Sequence, residues 1–261
     1  MKLALAGKGG VGKTSVVALF ARVLKDRGQK VLLIDADPDM NLATVLGISP
    51  EMNITPIVEL RDLIAERTGV EKGTPAPFFK MNPRVDDIPD RYCVQYEDIK
   101  LIVIGAVKKG GAGCACPENA FLKNLLSYLV VNRDEWVILD MEAGIEHLGR
   151  GTAIGVDQMI VVVEPNMTSI ETAFRIRKLS HDVGIKRLGI IGNKVSSEDE
   201  KKFIKDKMQG FNILGFIEHS ELIRKISLNI VSPLNVGAKV LTPFEKIIDD
   251  IGQKFLAGSV K

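Results

Sequence analysis

Apolar positions along the chain follow two alternating patterns. Short, nearly uninterrupted apolar runs occur at Leu3–Ala6, Val31–Ile34, Leu101–Ile104, Val137–Leu139, Met159–Val163, Leu188–Ile191 and Ile213–Phe216. Continuous rather than alternating runs predict strands covered on both faces, as in a parallel sheet. Between most of them the apolar residues fall at helical spacing. Ser15–Arg27 carries them at positions 16, 19, 20, 23 and 24 and stops at Gly28. Glu118–Val131, Ser169–Val183 and Glu198–Met208 follow the same logic, and Phe244–Leu256 predicts a closing helix. This alternation predicts an α/β fold of right-handed βαβ units, with helices on both faces of a mostly parallel central sheet.

One stretch breaks the pattern. From about Glu51 to Glu97 the chain is rich in proline, glycine and charge. It predicts a helix near Ile57–Arg67 followed by an irregular excursion over about residues 68–97. So long a loop inside a compact domain is more often functional than accidental. No repeat, low-complexity tract or linker divides the chain, so residues 1–261 are expected to form a single domain.

Composition narrows the partners. Apolar residues make up 46% and charged residues 26%, ordinary values for a globular protein. A net charge of +2 gives no electrostatic case for nucleic acid. The basic cluster Lys201, Lys202, Lys205 and Lys207 is interleaved with Glu198, Asp199, Glu200 and Asp206, which predicts a solvated helix face. No apolar run reaches the roughly 18 residues that a membrane span needs. The N-terminal apolar segment is too short for a signal peptide, so a cytoplasmic location without a membrane partner is expected. Three cysteines, an odd number, argue against a disulfide framework.

The chemistry begins at "GKGGVGKTS", Gly7 to Ser15. Gly7, Gly9 and Gly12 fit a dinucleotide-binding turn, while Gly7, Gly12, Lys13 and Thr14 fit a phosphate-binding P-loop. In either, backbone N–H groups and a helix N-terminus cradle phosphate. Lys13 and Thr14 decide between them: a P-loop needs the lysine on the terminal phosphates and the hydroxyl on Mg²⁺. Gly9, Gly10, Val11, Gly12, Lys13, Thr14 and Ser15 are therefore the candidate nucleotide contacts. "DADPD" sets Asp35, Asp37 and Asp39 within five residues. That is too much carboxylate for one ribose and suits a metal with its water. "WVILDMEAG" is an apolar strand ending in Asp140, the second acidic element that a P-loop requires, with the Gly144 N–H near the γ-phosphate. Thr14, Asp35 and Asp140 are the candidate Mg²⁺ residues. "GNKV" puts Asn193 and Lys194 where the base is expected. Ser196 stands where a guanine site needs an aspartate, so ATP is favoured over GTP. A strand-end cap is the other reading of Asn193.

A lysine directly after the first glycine, Lys8, marks the deviant Walker A motif. The chain resembles the family that includes nitrogenase iron protein, the cell-division ATPase MinD and the plasmid-partition ParA ATPases. The likeness runs through the P-loop, "DADPD", "DMEAG" and "GNK". It implies the P-loop NTPase fold and an ATP-dependent homodimer in which Lys8 reaches the partner's nucleotide. It also implies that Asp37 positions the attacking water, that Asp35 supports the metal shell, and that Asp140 and Gly144 form the second switch. Lys8, Lys13 and Asp37 are thus the expected catalytic residues of a slow, dimerisation-coupled ATP hydrolase. The usual proline is missing from "GFIEHSELIRKISLNIVSPL", where relatives begin the base-binding loop, so no adenine contact beyond Asn193 is assigned.

"GGAGCACPEN" contributes Cys114 and Cys116. Two thiolates one residue apart fill half of a tetrahedral metal site, and a twofold axis would complete it. The competing reading is ordinary buried cysteine. "GCACPEN" with "DMEAGIEHLGRGT" is similar to the CooC type, accessory ATPases that insert nickel into carbon monoxide dehydrogenase, and to the related factor for acetyl-CoA synthase. The resemblance implies an interfacial Ni²⁺ or Zn²⁺ site and a nickel-enzyme client. A MinD- or ParA-like ATPase acting on membrane or DNA, and an electron donor with an interfacial iron–sulfur cluster, are the rival functions. Cys93 is expected to pack at an edge segment. His147, His181 and His219 are scattered.

Overall fold

The computed structural model describes residues 1–70, 78–105, 117–132, 135–142 and 155–258. All seven apolar runs form strands: β1 (Lys2–Ala6), β2 (Val31–Asp35), β4 (Ile99–Val103), β5 (Trp136–Asp140), β6 (Gln158–Val163), β7 (Leu188–Val195) and β8 (Asn212–Glu218). With β3 (Val94–Tyr96) they make one sheet in the order β3-β4-β2-β5-β1-β6-β7-β8. Every neighbouring pair is parallel except β3–β4, where Gln95 faces Lys100 in an antiparallel edge pair. All residues of β1, β2 and β6 are buried, the signature of a sheet covered on both sides.

The helices among the described residues are α1 (Lys13–Asp26), α2 (Leu42–Leu46), α3 (Arg61–Thr68), α4 (Ile88–Tyr92), α5 (Pro117–Val131), α6 (Met167–Val183), α7 (Glu198–Lys207), α8 (Glu221–Ser227) and α9 (Ala238–Gly258). α1, α2 and α9 cover one face. There Leu19, Phe20, Leu42, Phe244 and Ile247 meet Leu33 and Ile138 of the sheet. α3, α5 and α6 cover the other, where Ile64, Phe121, Leu125 and Ile176 meet Leu32, Ile34 and Leu139. Each such side chain contributes about 1.5–3 kcal/mol by leaving water.

Three boundaries differ from the sequence reading. The helix expected near Ile57–Arg67 is split into a short 3₁₀ turn at Ile57–Glu59 and α3, because the Val58 N–H donates to the Ile104 carbonyl at the end of β4 and draws the first turn onto the sheet. The closing helix starts at Ala238, a turn before Pro243, where buried Leu241 packs into the core and offsets the hydrogen bond that Pro243 lacks. The excursion contains α4 and the edge strand β3, linked to β4 by a turn at Glu97, whose φ is +50°. Cys93 precedes that strand and packs half-buried against the core. Helix starts follow local chemistry. Asn166 caps α6 by accepting from the Ser169 N–H, and Ser197 caps α7 by accepting from the Glu200 N–H, while Glu200 accepts from the Ser196 N–H. The Lys201 side chain on α7 is paired with Glu198 and Glu218, as a solvated face predicts. Among the described residues no helix is long and apolar enough to cross a membrane.

Candidate functional site

The carboxyl ends of β1, β2, β5, β6 and β7 meet at one edge, where ligands bind in open α/β sheets. β1 leads through Gly7–Gly12 into α1. Gly7 has φ +151°, and a Cβ there would lie 2.5 Å from the Val162 carbonyl oxygen. Gly12 has φ +90°, and a Cβ would lie 2.6 Å from Asn193 Nδ2. Both positions thus demand glycine for sign of φ and for space. The Val11 N–H donates to the Lys8 carbonyl at 3.3 Å and closes a turn that leaves Lys8 exposed at its start. Gly12, at the N-cap of α1, has no side chain to cap the helix, so among the described residues the leading N–H groups remain available to an anion.

Lys13 is 6% exposed and Ser15 is buried, both at the start of α1. The Lys13 ammonium lies 3.9 Å from Asp37 Oδ2. Asp37 Oδ1 accepts from the Asp39 N–H at 3.0 Å, which shapes the loop after β2.

Asp35 and Asp140 have different surroundings. Both are buried, at 0% and 1% exposure. Asp35 is held by its own loop: Oδ1 accepts from the Asp37 N–H at 3.2 Å and Oδ2 from the Leu42 N–H at 3.0 Å. Burial pushes its pKa up to about 7, against these two hydrogen bonds and with the neighbouring Asp140 charge adding to the rise. Asp140 has neither oxygen hydrogen-bonded among the described residues. Burial raises its pKa to about 6, while the Thr14 hydroxyl, short of a formal hydrogen bond, and the Lys13 ammonium pull it back. A buried carboxylate with two free oxygens beside a hydroxyl fits a divalent cation with its water. Thr14 and Asp140 are the residues that would hold Mg²⁺, which supplies charge neutralisation at the phosphate oxygens. Asp35 instead braces the loop that carries Asp37.

Asn193 and Lys194 reach the P-loop from the end of β7. Asn193 Nδ2 donates to the Val11 carbonyl at 2.7 Å, and Lys194 Nζ donates to the Gly10 carbonyl at 2.6 Å. Beside them opens a pocket of about 230 Å³ with Gly12, Ser15, Ser220, Ile223 and Phe244 in its wall. It adjoins the P-loop through Gly10 and Gly12. Its outer wall, Ser220 to Ser227, is the segment left unassigned by the missing proline. A usable signal was present: Ser220 accepts from the Ile223 N–H and starts α8, a polar cap before an apolar spacing. His219 lines the same pocket, whereas His181 is exposed on α6. A larger cavity of about 560 Å³ lies between Lys30, Tyr128, Asn132 and Trp136, at the amino ends of the strands and away from this chemistry.

Gly144, Cys114, Cys116 and His147 lie outside the described residues. Among the described residues no group of three or more His, Cys, Asp or Glu is placed to hold a metal.

The CbiA family profile, the CobQ/CobB/MinD/ParA nucleotide binding domain, matches residues 2–233. The chain belongs to that family. This CobQ/CobB/MinD/ParA-family member is a P-loop ATPase, and its likenesses run in two directions. It is 44% identical over 254 residues to an uncharacterised ATP-binding protein of Methanocaldococcus jannaschii, with 96% of this chain and 97% of that one covered. It is 45% identical over 226 residues to the carbon monoxide dehydrogenase accessory protein CooC of Rhodospirillum rubrum, with 86% of each chain covered. In fold it matches a chain of the MinC:MinD cell division protein complex of Aquifex aeolicus with a TM-score of 0.67 at 21% identity, over 97% of this chain and 96% of that one. The septum site-determining protein MinD of Pyrococcus horikoshii, complexed with Mg-ADP, matches with a TM-score of 0.66 at 20% identity, over 98% and 97% of the two chains. At these identities the MinD structures establish the shared fold of the family and nothing further.

Proposed function

We propose that this ATPase is an accessory factor of carbon monoxide dehydrogenase, or of acetyl-CoA synthase, that delivers nickel under the control of ATP. The observation that carries the reading is the 45% identity to Rhodospirillum rubrum CooC over 86% of both chains. The reading assigns the P-loop N–H groups and Lys13 to the triphosphate. Lys8, exposed at its turn, extends to the nucleotide of a second copy and neutralises charge as the γ-phosphoryl bond breaks. Water held at Asp37 attacks the γ-phosphorus, and ADP leaves. The Gly144 N–H follows the γ-phosphate and reports its loss. Asn193 and the pocket beside it take the adenine.

Closing two copies on ATP brings Cys114 and Cys116 of each to a shared site. Four thiolates then hold one Ni²⁺, or Zn²⁺ where nickel is absent. Hydrolysis loosens the pair and releases the cargo to the client. ATP shifts the equilibrium only as far as it binds the closed state more tightly, so turnover is slow and acts as a timer. The site of action under this reading is the cytoplasm. Phe244, Ile247, Ile248 and Ile251 of α9 are buried at 2% exposure or less. That part of the helix spends its apolar stripe on the core, which supports leaving membranes out of the scheme.

The direct test is nickel binding by the Cys114→Ser/Cys116→Ser double variant in the presence of ATP and Mg²⁺. The expected result is loss of nickel, against about one ion per two chains in the parent. Parent-like nickel binding by the variant sinks the cargo half of the reading, and ATP-dependent pelleting of the parent with liposomes or DNA would move it toward the positioning ATPases.

A further inference from the structure

Two consecutive side chains at the end of β7 grip two consecutive carbonyls of the P-loop. Asn193 holds Val11 at 2.7 Å and Lys194 holds Gly10 at 2.6 Å. Lys194 sits at a β7–β8 register irregularity between Gly192 and Val195, with φ +56°. Its ammonium is fixed from the other side by Glu164 Oε1 at 2.6 Å. The second Glu164 oxygen accepts from Asn166 Nδ2 at 3.1 Å, and the Glu164 N–H donates to Ser169 Oγ at 3.0 Å. Glu164 follows β6 directly, and Asn166 is the cap of α6. One ammonium therefore ties the P-loop to the β6–α6 junction.

The direction in which Lys8 leaves the loop is set by the shape of the turn that it opens. The Lys8–Val11 turn does not secure this by itself. Its closing hydrogen bond is long, at 3.3 Å. Among the described residues nothing stands within 4 Å of where a Cβ of Gly9 or Gly10 would lie, so none of them restrains these two by packing. The Lys194 bond fixes the carbonyl of Gly10, two residues from Lys8. Glu164 in turn restricts the long, mobile Lys194 side chain, which is 45% exposed, to that one direction.

We propose that Lys194, braced by Glu164, is a positioning residue for the Lys8 turn, acting through the Gly10 carbonyl rather than on the nucleotide base. The consequence for hydrolysis rests on the role proposed above for Lys8; the consequence for the turn does not.

The full-length chain is assayed as Lys194→Met, Lys194→Arg, Glu164→Gln, Lys8→Ala and Lys8→Ala/Lys194→Met. Hydrolysis at saturating ATP is compared with nucleotide affinity from a titration. Lys194→Met is expected to lower kcat about tenfold with less than about a threefold change in ATP affinity, and Glu164→Gln to lower it by a smaller factor. Lys194→Arg is expected to keep kcat within about threefold, because the guanidinium still donates to Gly10. The double variant is expected to be no more than about twofold slower than Lys8→Ala, since both changes spoil one device. Amide hydrogen exchange at Val11 is expected to quicken about tenfold in Lys194→Met. Native exchange at Val11, or a tenfold loss of ATP affinity with kcat retained, overturns the proposal, as do losses that multiply in the double variant. A native kcat in Lys8→Ala alone sinks the role given to Lys8, and the exchange experiment then decides the positioning of the turn by itself.

Discussion

Asp35 and Asp140 are register partners across β2 and β5, yet the two carboxylates do opposite work. Asp35 spends both oxygens on backbone N–H groups of the loop that follows it, while neither oxygen of Asp140 is hydrogen-bonded among the described residues. The same strand ends thus offer one acid that builds the loop and one whose oxygens the described residues leave open.

Replacing Asp140 separates stability from activity. Burial lifts its pKa from 3.8 to about 6, so the folded chain binds more protons than the unfolded one between those values. Stability therefore falls as pH rises through that window, and the whole penalty stands above pH 6. Asp140→Asn is expected to stabilise the nucleotide-free protein by about 1–3 kcal/mol near neutral pH, with the gain fading below about pH 4. Mg²⁺-dependent ATP hydrolysis is expected to fall by about a hundredfold or more. Urea melts at two pH values and a phosphate-release assay check both signs; a less stable variant contradicts this account of Asp140.

Asp35→Ala is expected to loosen the loop that Asp35 holds. It leaves the Asp37 and Leu42 N–H groups without their acceptor, a cost of about 1–3 kcal/mol that works against the relief of removing a carboxylate whose pKa burial lifts to about 7. Amide exchange at Leu42 should quicken by about tenfold or more as the loop carrying Asp37 opens locally. Asp35→Asn, which keeps one carbonyl acceptor, should fall between the alanine variant and the parent. Unchanged exchange at Leu42 in the alanine variant would mean that Asp35 is not the brace of this loop.

Gly7→Ala tests the entry to the P-loop. The added Cβ would stand 2.5 Å from the backbone oxygen of Val162, on a residue whose φ is +151°. Neither β1 nor β6 can retreat cheaply, because β6 is hydrogen-bonded on both sides, to β1 and β7. A loss of about 2–4 kcal/mol in unfolding free energy is expected, with weaker ATP binding. Gly9→Ala meets no atom of the described residues within 4 Å and should cost far less. Equal losses at the two positions would remove the steric argument.

The central strands were legible because burial on both faces leaves nothing but apolar residues in them, as Val161, Val162 and Val163 illustrate. The P-loop was legible because phosphate binding demands glycines and a lysine at fixed spacing. β3 and α4 were not, since a three-residue edge strand and a five-residue helix hold too few positions to show a period. Asp35 and Asp140 looked alike as acids at strand ends. What separates them is the backbone path from Asp35 to Leu42, which returns an N–H to a carboxylate seven residues earlier. The pocket beside the P-loop escaped for the same reason. Its walls, Asn193, Ile223 and Phe244, come from three separate elements, brought together by the packing of α9 on α1 and β8.

Phe244 joins that pocket to the core, so its loss should show in two ways. Its ring meets Phe20 edge-on with centroids 6.1 Å apart, and it is fully buried. Phe244→Ala is expected to cost about 3–5 kcal/mol, from lost burial and the cavity left behind. Nucleotide binds the native state alone and so raises stability by an amount set by its affinity. If Phe244 only supports α1, saturating ATP with Mg²⁺ should raise the melting temperature of the variant as much as it raises that of the parent. Because Phe244 also lines the space beside Gly12 and Ser15, the nucleotide-induced rise should be smaller in the variant, and Phe244→Leu should recover most of it. Melting curves with and without ATP for the three proteins decide the matter, and equal shifts throughout would place the base somewhere other than this pocket.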